Sequence, residues 1–80
     1  MTIKEVLERW REILIGVKFK GCDTKVEKQL KSLRRIFRSK YKNELRNSKG
    51  IEEFLKRYGE EIADSEIEKR VISLYRLLSF

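Results

Sequence analysis

Histidine and proline are absent from this chain, and cysteine occurs once, at Cys22. Without histidine there is no imidazole to serve as a general base near neutral pH and no histidine-ligated metal site. A lone cysteine makes neither an intramolecular disulfide nor a zinc cluster, and it fits a reducing cytoplasm. No apolar run approaches the ~20 residues that cross a bilayer, and nothing at the start resembles a signal peptide. The 4 glycines form neither a phosphate-cradling loop nor a dinucleotide fingerprint. Glu60, Glu61 and Asp64 cluster and could hold a magnesium ion, but they fall at a turn before a helix, where acids favour the helix dipole. The expectation is a protein with no catalytic residues, metal, cofactor, membrane association or small-molecule substrate.

What is present is charge. The 80 residues suit one domain, spanning 1–80, with a modest core. Lys plus Arg number 20 against 13 Asp plus Glu, a formal charge of +7. That excess points to an anionic partner, with solubility alone as the plainer explanation. Abundant Lys, Arg, Glu and Ile with a single Gln resembles the composition of thermophile proteins.

The apolar residues recur at helical spacing in four segments, predicting an all-α bundle of four short helices. Residues 2–15 place Ile3, Val6, Leu7, Trp10, Ile13 and Leu14 on one face, with Thr2 and Glu5 at capping-box spacing. Gly16 is the expected stop, and residues 16–23 read as a loop that tucks Phe19 into the core. A second helix starts at Thr24, where Thr24 and Glu27 repeat the box, and carries Val26, Leu30, Leu33, Phe37 and Tyr41 inward. Glu44 would fall on that apolar face, so this helix is expected to bend or end between Ser39 and Asn47. After a turn at Asn47, Ser48 and Gly50, Ile51, Phe54, Leu55 and Tyr58 mark a third helix that stops at Gly59. A fourth begins near Ser65, with Glu68 again at box spacing, and buries Ile67, Val71, Leu74, Tyr75 and Leu78.

The charge is concentrated. Residues 1–17 carry three bases and three acids, residues 18–49 twelve bases and three acids, and residues 50–80 five bases and seven acids. Within the middle block Lys28, Lys31, Arg35, Arg38, Lys42 and Arg46 step by three or four residues, so they share an arc opposite Val26, Leu33 and Phe37. At ~1.5 Å per residue the row would run about 27 Å on an unbroken helix. Like charges at these spacings repel by a few tenths of a kcal/mol per pair. A helix kept only for stability would interleave acids, as residues 4–12 do. Three readings stay open: a solvated face, a surface for an acidic protein or membrane, and a phosphate-binding face. The missing counter-charge favours phosphates. The candidate nucleic-acid contacts are Lys28, Lys31, Arg34, Arg35, Arg38, Lys40, Lys42, Arg46 and Lys49, with duplex DNA ahead of RNA. Phe37 and Tyr41 interleave with these bases, as stacking residues do in single-strand binders, but their spacing also fits the core. Ser39, Asn43 and Asn47 are further possible donors to phosphates.

Three stretches carry a resemblance to a known family. They are residues 2–5 (Thr2 to Glu5), residues 24–27 (Thr24 to Glu27) leading to 33–37 (Leu33 to Phe37), and residues 65–67 (Ser65 to Ile67) leading to 71–75 (Val71 to Tyr75). Together with an aromatic end at Phe80, their order is similar to the SAM-like core-binding domain of phage integrases, the tyrosine recombinases. The resemblance implies a four-helix unit that clamps duplex DNA. The catalytic domain of that family, with its Arg, His and Tyr residues, has no counterpart in this sequence.

The different-class alternative is a protein-interaction module that docks on an acidic partner or self-associates. Residues 71–80 are almost all apolar. Val71, Leu74, Tyr75 and Leu78 occupy the inward face, which leaves Ile72, Leu77 and Phe80 to find other burial, as in a homodimer. Sedimentation equilibrium at hundreds of micromolar is expected to give a dimer that Leu77→Lys weakens. A monomer unaffected by that change would show these side chains satisfied within one chain.

Overall fold

A computed structural model describes residues 1–21 and 23–78, with the side chains of Phe19 and Lys20 outside that description. The fold is all-α. The described residues form α1 (Ile3–Lys20), α2 (Thr24–Lys40), α3 (Lys42–Arg46), α4 (Ile51–Tyr58) and α5 (Ser65–Leu77). Four of these are the expected helices. The fifth, α3, is a five-residue turn of helix where the apolar pattern weakens.

The starts of α1, α2 and α5 are set by side chains that satisfy orphan backbone donors. Thr2 and Glu5 form the reciprocal capping box on α1. At α2 and α5 the expected Thr24–Glu27 and Ser65–Glu68 boxes are replaced by an aspartate one position earlier. Asp23 accepts from Val26 N (2.9 Å), and Asp64 accepts from Glu66 N (2.9 Å) and Ile67 N (3.3 Å). A full carboxylate charge suits the positive end of a helix better than a hydroxyl, which is why the neighbouring Asp takes the role. Glu27 and Glu68 are thereby released to pair with Lys31 and with the Met1 ammonium, each at 3.3 Å.

Gly16 does not end α1, and residues 16–20 are helical rather than a loop. A glycine costs a helix only about 1 kcal/mol relative to alanine, and Val17 packing on the core outweighs it. The stop is Gly21, at φ 85°, whose N–H bonds the Val17 carbonyl (2.9 Å). The expected tucking of Phe19 lies outside the described side chains.

The N-terminus is stitched into the α4–α5 connection. Ile3 N donates to the Glu61 carbonyl (2.8 Å), Lys4 N to Gly59 (2.9 Å), and Ala63 N returns a bond to Met1 (2.9 Å). These bonds satisfy the first donors of α1 and anchor the loop before α5. Met1 then faces Glu68, and the Arg9 guanidinium lies 5.0 Å from the Tyr75 ring centroid, so α1 and α5 run in the same direction. Arg70 reaches Ser32 and Lys40 reaches Glu66, so α2 runs antiparallel to α5.

The core gathers Ile3, Val6 and Ile13 from α1, Val26, Leu33 and Phe37 from α2, Phe54 from α4, and Ile67, Val71 and Leu74 from α5. Phe37 and Phe54 meet at 5.8 Å between ring centroids, Phe37 and Tyr41 at 4.8 Å, and Phe54 and Tyr58 at 5.7 Å. Phe54 is the fully buried side chain of α4, with Leu55 and Tyr58 packed partly buried beside it. Phe54→Ala is expected to cost about 3–5 kcal/mol, comparable to the whole stability of a domain this small. Ile62→Ala, at a 76% exposed position, is expected to change stability by less than about 0.5 kcal/mol. Urea unfolding followed by circular dichroism checks both.

Candidate nucleic-acid interface and the groove beside it

All nine candidate cations are exposed. They do not form one row. Tyr41, at φ −110° and ψ 27°, leaves helical geometry, so Lys42 and Arg46 ride on α3 and Lys49 on the turn beyond it. The unbroken part runs from Lys28 to Arg38, about 15 Å at 1.5 Å per residue. The break follows from what Tyr41 does. Its ring lies against Phe37 and Phe54, and its hydroxyl accepts a bond from Asp64 N (2.8 Å). The kink only partly relieves Glu44, which stays half-buried with Oε2 unpartnered.

On α2 the outward side carries Lys28, Lys31, Arg34, Arg35 and Arg38. Among the described residues only Lys31 has an acid within 4 Å, namely Glu27. Lys40 differs. It lies on the flank facing α5, where its ammonium sits 3.2 Å from Asp64 and 3.7 Å from Glu66. The hydrogen bond to Asp64 raises the Lys40 pKa above the ordinary lysine value. Partial burial opposes ionisation of Asp64, but Lys40 and the N–H groups of Ile67 and Glu66 outweigh it and hold its pKa below the usual aspartate value. Burial raises the pKa of the Tyr41 hydroxyl, keeping it protonated as Asp64 N donates to it. Lys40 therefore ties α2 to α5.

The other flank of α2 borders a groove of about 780 Å³, open between α1 and α2. These two helices pack on α5, not closely on each other, and Trp10 and Phe37 bridge the gap with ring centroids 5.5 Å apart. Leu7, Trp10 and Leu14 line the α1 wall, and Leu30 and Phe37 the α2 wall. Leu45, Ile51 and Leu55 close one end. Lys4, Glu8 and Arg11 form one lip and Lys31, Arg34 and Arg38 the other. Periodicity had placed Trp10 and Leu14 in the core. Trp10 is half-buried and Leu14 is 51% exposed, because the apolar arc of α1 is wider than α5 and α4 cover.

Of the candidate self-association residues, Ile72 is half-buried, Leu77 is 46% exposed, and Phe80 lies outside the described residues. Among the described residues there is no group of three or more His, Cys, Asp or Glu placed to hold a metal, and no helix long and apolar enough to cross a membrane. Comparisons with protein-family models, curated proteins and solved structures return no match to this chain.

The Lys40–Asp64 contact has a defined pH signature. The depressed Asp64 pKa contributes stability above the ordinary aspartate range and loses it as pH falls through the depressed value. The raised Lys40 pKa contributes stability below the ordinary lysine value and loses it as pH rises through the raised one. Asp64→Ala is expected to lower stability at neutral pH by about 1 kcal/mol through the lost cap and to reduce its dependence on acid. Asp64→Asn keeps the cap while removing the titration. Urea midpoints from about pH 2 to about pH 7 separate the two effects.

Proposed function

We propose that this protein binds nucleic acid, duplex DNA ahead of RNA, through phosphate contacts from the outward side of α2. The observation that carries this reading is the uncompensated charge. Lys28, Arg34, Arg35 and Arg38 stand exposed together on one helix with no acid within 4 Å among the described residues, whereas residues 50–80 carry seven acids against five bases, with Arg57 paired to Glu53 (2.9 Å) and Arg70 to Glu66 (3.4 Å). Phosphates spaced along a duplex supply what the fold withholds, and release of their counterions favours association. The similarity to the integrase core-binding domain points the same way. A homodimer through Leu77 and Ile72 would set two such helices on one duplex.

Binding of a random-sequence duplex is expected to weaken with salt. If about five phosphates are neutralised, log affinity falls against log salt with a slope near −4 to −5. Reversing Lys28, Arg35 and Arg38 to Glu abolishes retardation with the helical circular dichroism intact. Reversing Lys69 and Arg76, exposed on α5 and away from this face, has little effect. A flat salt dependence with binding intact, or a larger loss from the α5 pair, would overturn the assignment.

A further inference from the structure

We propose that the groove between α1 and α2 is a docking site for an acidic amphipathic helix of a partner protein. The partner lays its apolar side chains over Trp10 and Leu14 and its carboxylates against the basic lips. This proposal stands independently of nucleic-acid binding.

The groove asks for apolar occupancy. Its volume, about 780 Å³, is within the size range of ligand and peptide sites. Leu14 on one wall and Ile51 at one end are 51% and 53% exposed, so two large aliphatic side chains lie uncovered in one concavity. The occupant must also satisfy its own backbone. Both walls are helices, with no free strand edge to pair with an extended peptide, so an entering chain keeps its N–H and C=O groups bonded only as a helix. From Lys4 to Leu14 the α1 wall spans ten helical steps, about 15 Å, which matches about three helical turns.

The lips specify charge. Lys4, Arg11, Arg34 and Arg38 line the groove together with Lys31, which is paired with Glu27, against Glu8 as the one acid in the lining among the described residues. Carboxylates flanking an apolar stripe complement that field and fix the register of docking. A second copy of this chain does not. None of its own helices with exposed apolar residues carries an acidic excess: Glu52 and Glu53 are matched by Lys56 and Arg57 on α4, bases outnumber acids three to two on α5, and they outnumber them five to three on α1. A nucleic acid fits the lips but not the floor, which is mostly aliphatic. Phe37 is only 5% exposed, which leaves the half-buried Trp10 as the one other ring in the lining among the described residues, too few for successive bases to stack on.

Trp10 is the only tryptophan, so the emission of the full chain reports on the groove. The probe is a synthetic peptide of about 14 residues with Leu at i, i+3, i+4 and i+7 and Glu on its flanks. Its titration is expected to shift Trp10 emission to the blue with a dissociation constant on the order of micromolar, and the same peptide with Lys for Glu to bind about tenfold more weakly or worse. Leu14→Glu and Ile51→Glu change exposed positions, so circular dichroism stays native while peptide affinity drops about tenfold or more and duplex retardation holds. The double variant Lys28→Glu with Arg35→Glu, outside the groove, gives the reverse. Equal binding of the Lys peptide, or no binding up to about millimolar peptide, overturns the proposal. So does an emission shift produced by palmitate or oligothymidylate and not by the Glu peptide. A shift that follows protein concentration alone, and disappears in Leu14→Glu, assigns the groove to a second copy and also overturns it.

Discussion

The ring of Phe37 is the contact on which the arrangement turns. Nearly buried, it meets Trp10 of α1, Phe54 of α4 and Tyr41 at the end of its own helix. Aromatic pairs at these separations favour edge-to-face geometry, which restricts how α2 can rotate about its axis. Once Phe37, Leu33 and Val26 face inward, helical spacing leaves Lys28, Arg35 and Arg38 facing out. The proposed phosphate surface is thus a consequence of core packing on the opposite side of the same helix.

The same ring explains why a groove lies beside that surface. α1 and α2 each pack on α5 and not closely on each other, and the rings of Trp10 and Phe37 meet across the distance between them. A side-chain bridge of two rings leaves the flanks of both helices uncovered. Lys31, Arg34 and Arg38 sit where the flank of α2 meets its outward side, so they belong both to the lip of the groove and to the basic face. Lys40, on the far flank, is drawn instead to Asp64. One helix therefore divides its cations between a neutralised seam with α5 and two surfaces where bases outnumber acids.

The starts of α1, α2 and α5 were legible to within a residue because capping is local chemistry, readable from three or four neighbouring positions. The two displaced caps show the limit of that reading. In Asp23-Thr24 and Asp64-Ser65 both residues are good N-caps, the carboxylate suits the positive helix end better, and at Asp64 it also meets Lys40 from a distant part of the chain. Gly16 misled for a related reason. Its propensity cost is small and local, whereas the packing of Val17 that carries α1 onward depends on the assembled core.

By itself, the sequence determined that the chain is helical, where its helices begin, and that its positive charge gathers on the second of them. These follow from periodicity, capping chemistry and composition, all of which act over a few residues. The break in the second helix was expected between Ser39 and Asn47, and the tertiary structure put it at Tyr41; only that structure decided that Lys40 is withdrawn from the basic face and that Trp10 and Leu14 border a groove instead of lying in the core. An apolar arc records that a helix has something to bury. How much of the arc is covered depends on how many neighbouring helices reach it, and that is settled by contacts between residues far apart in the chain.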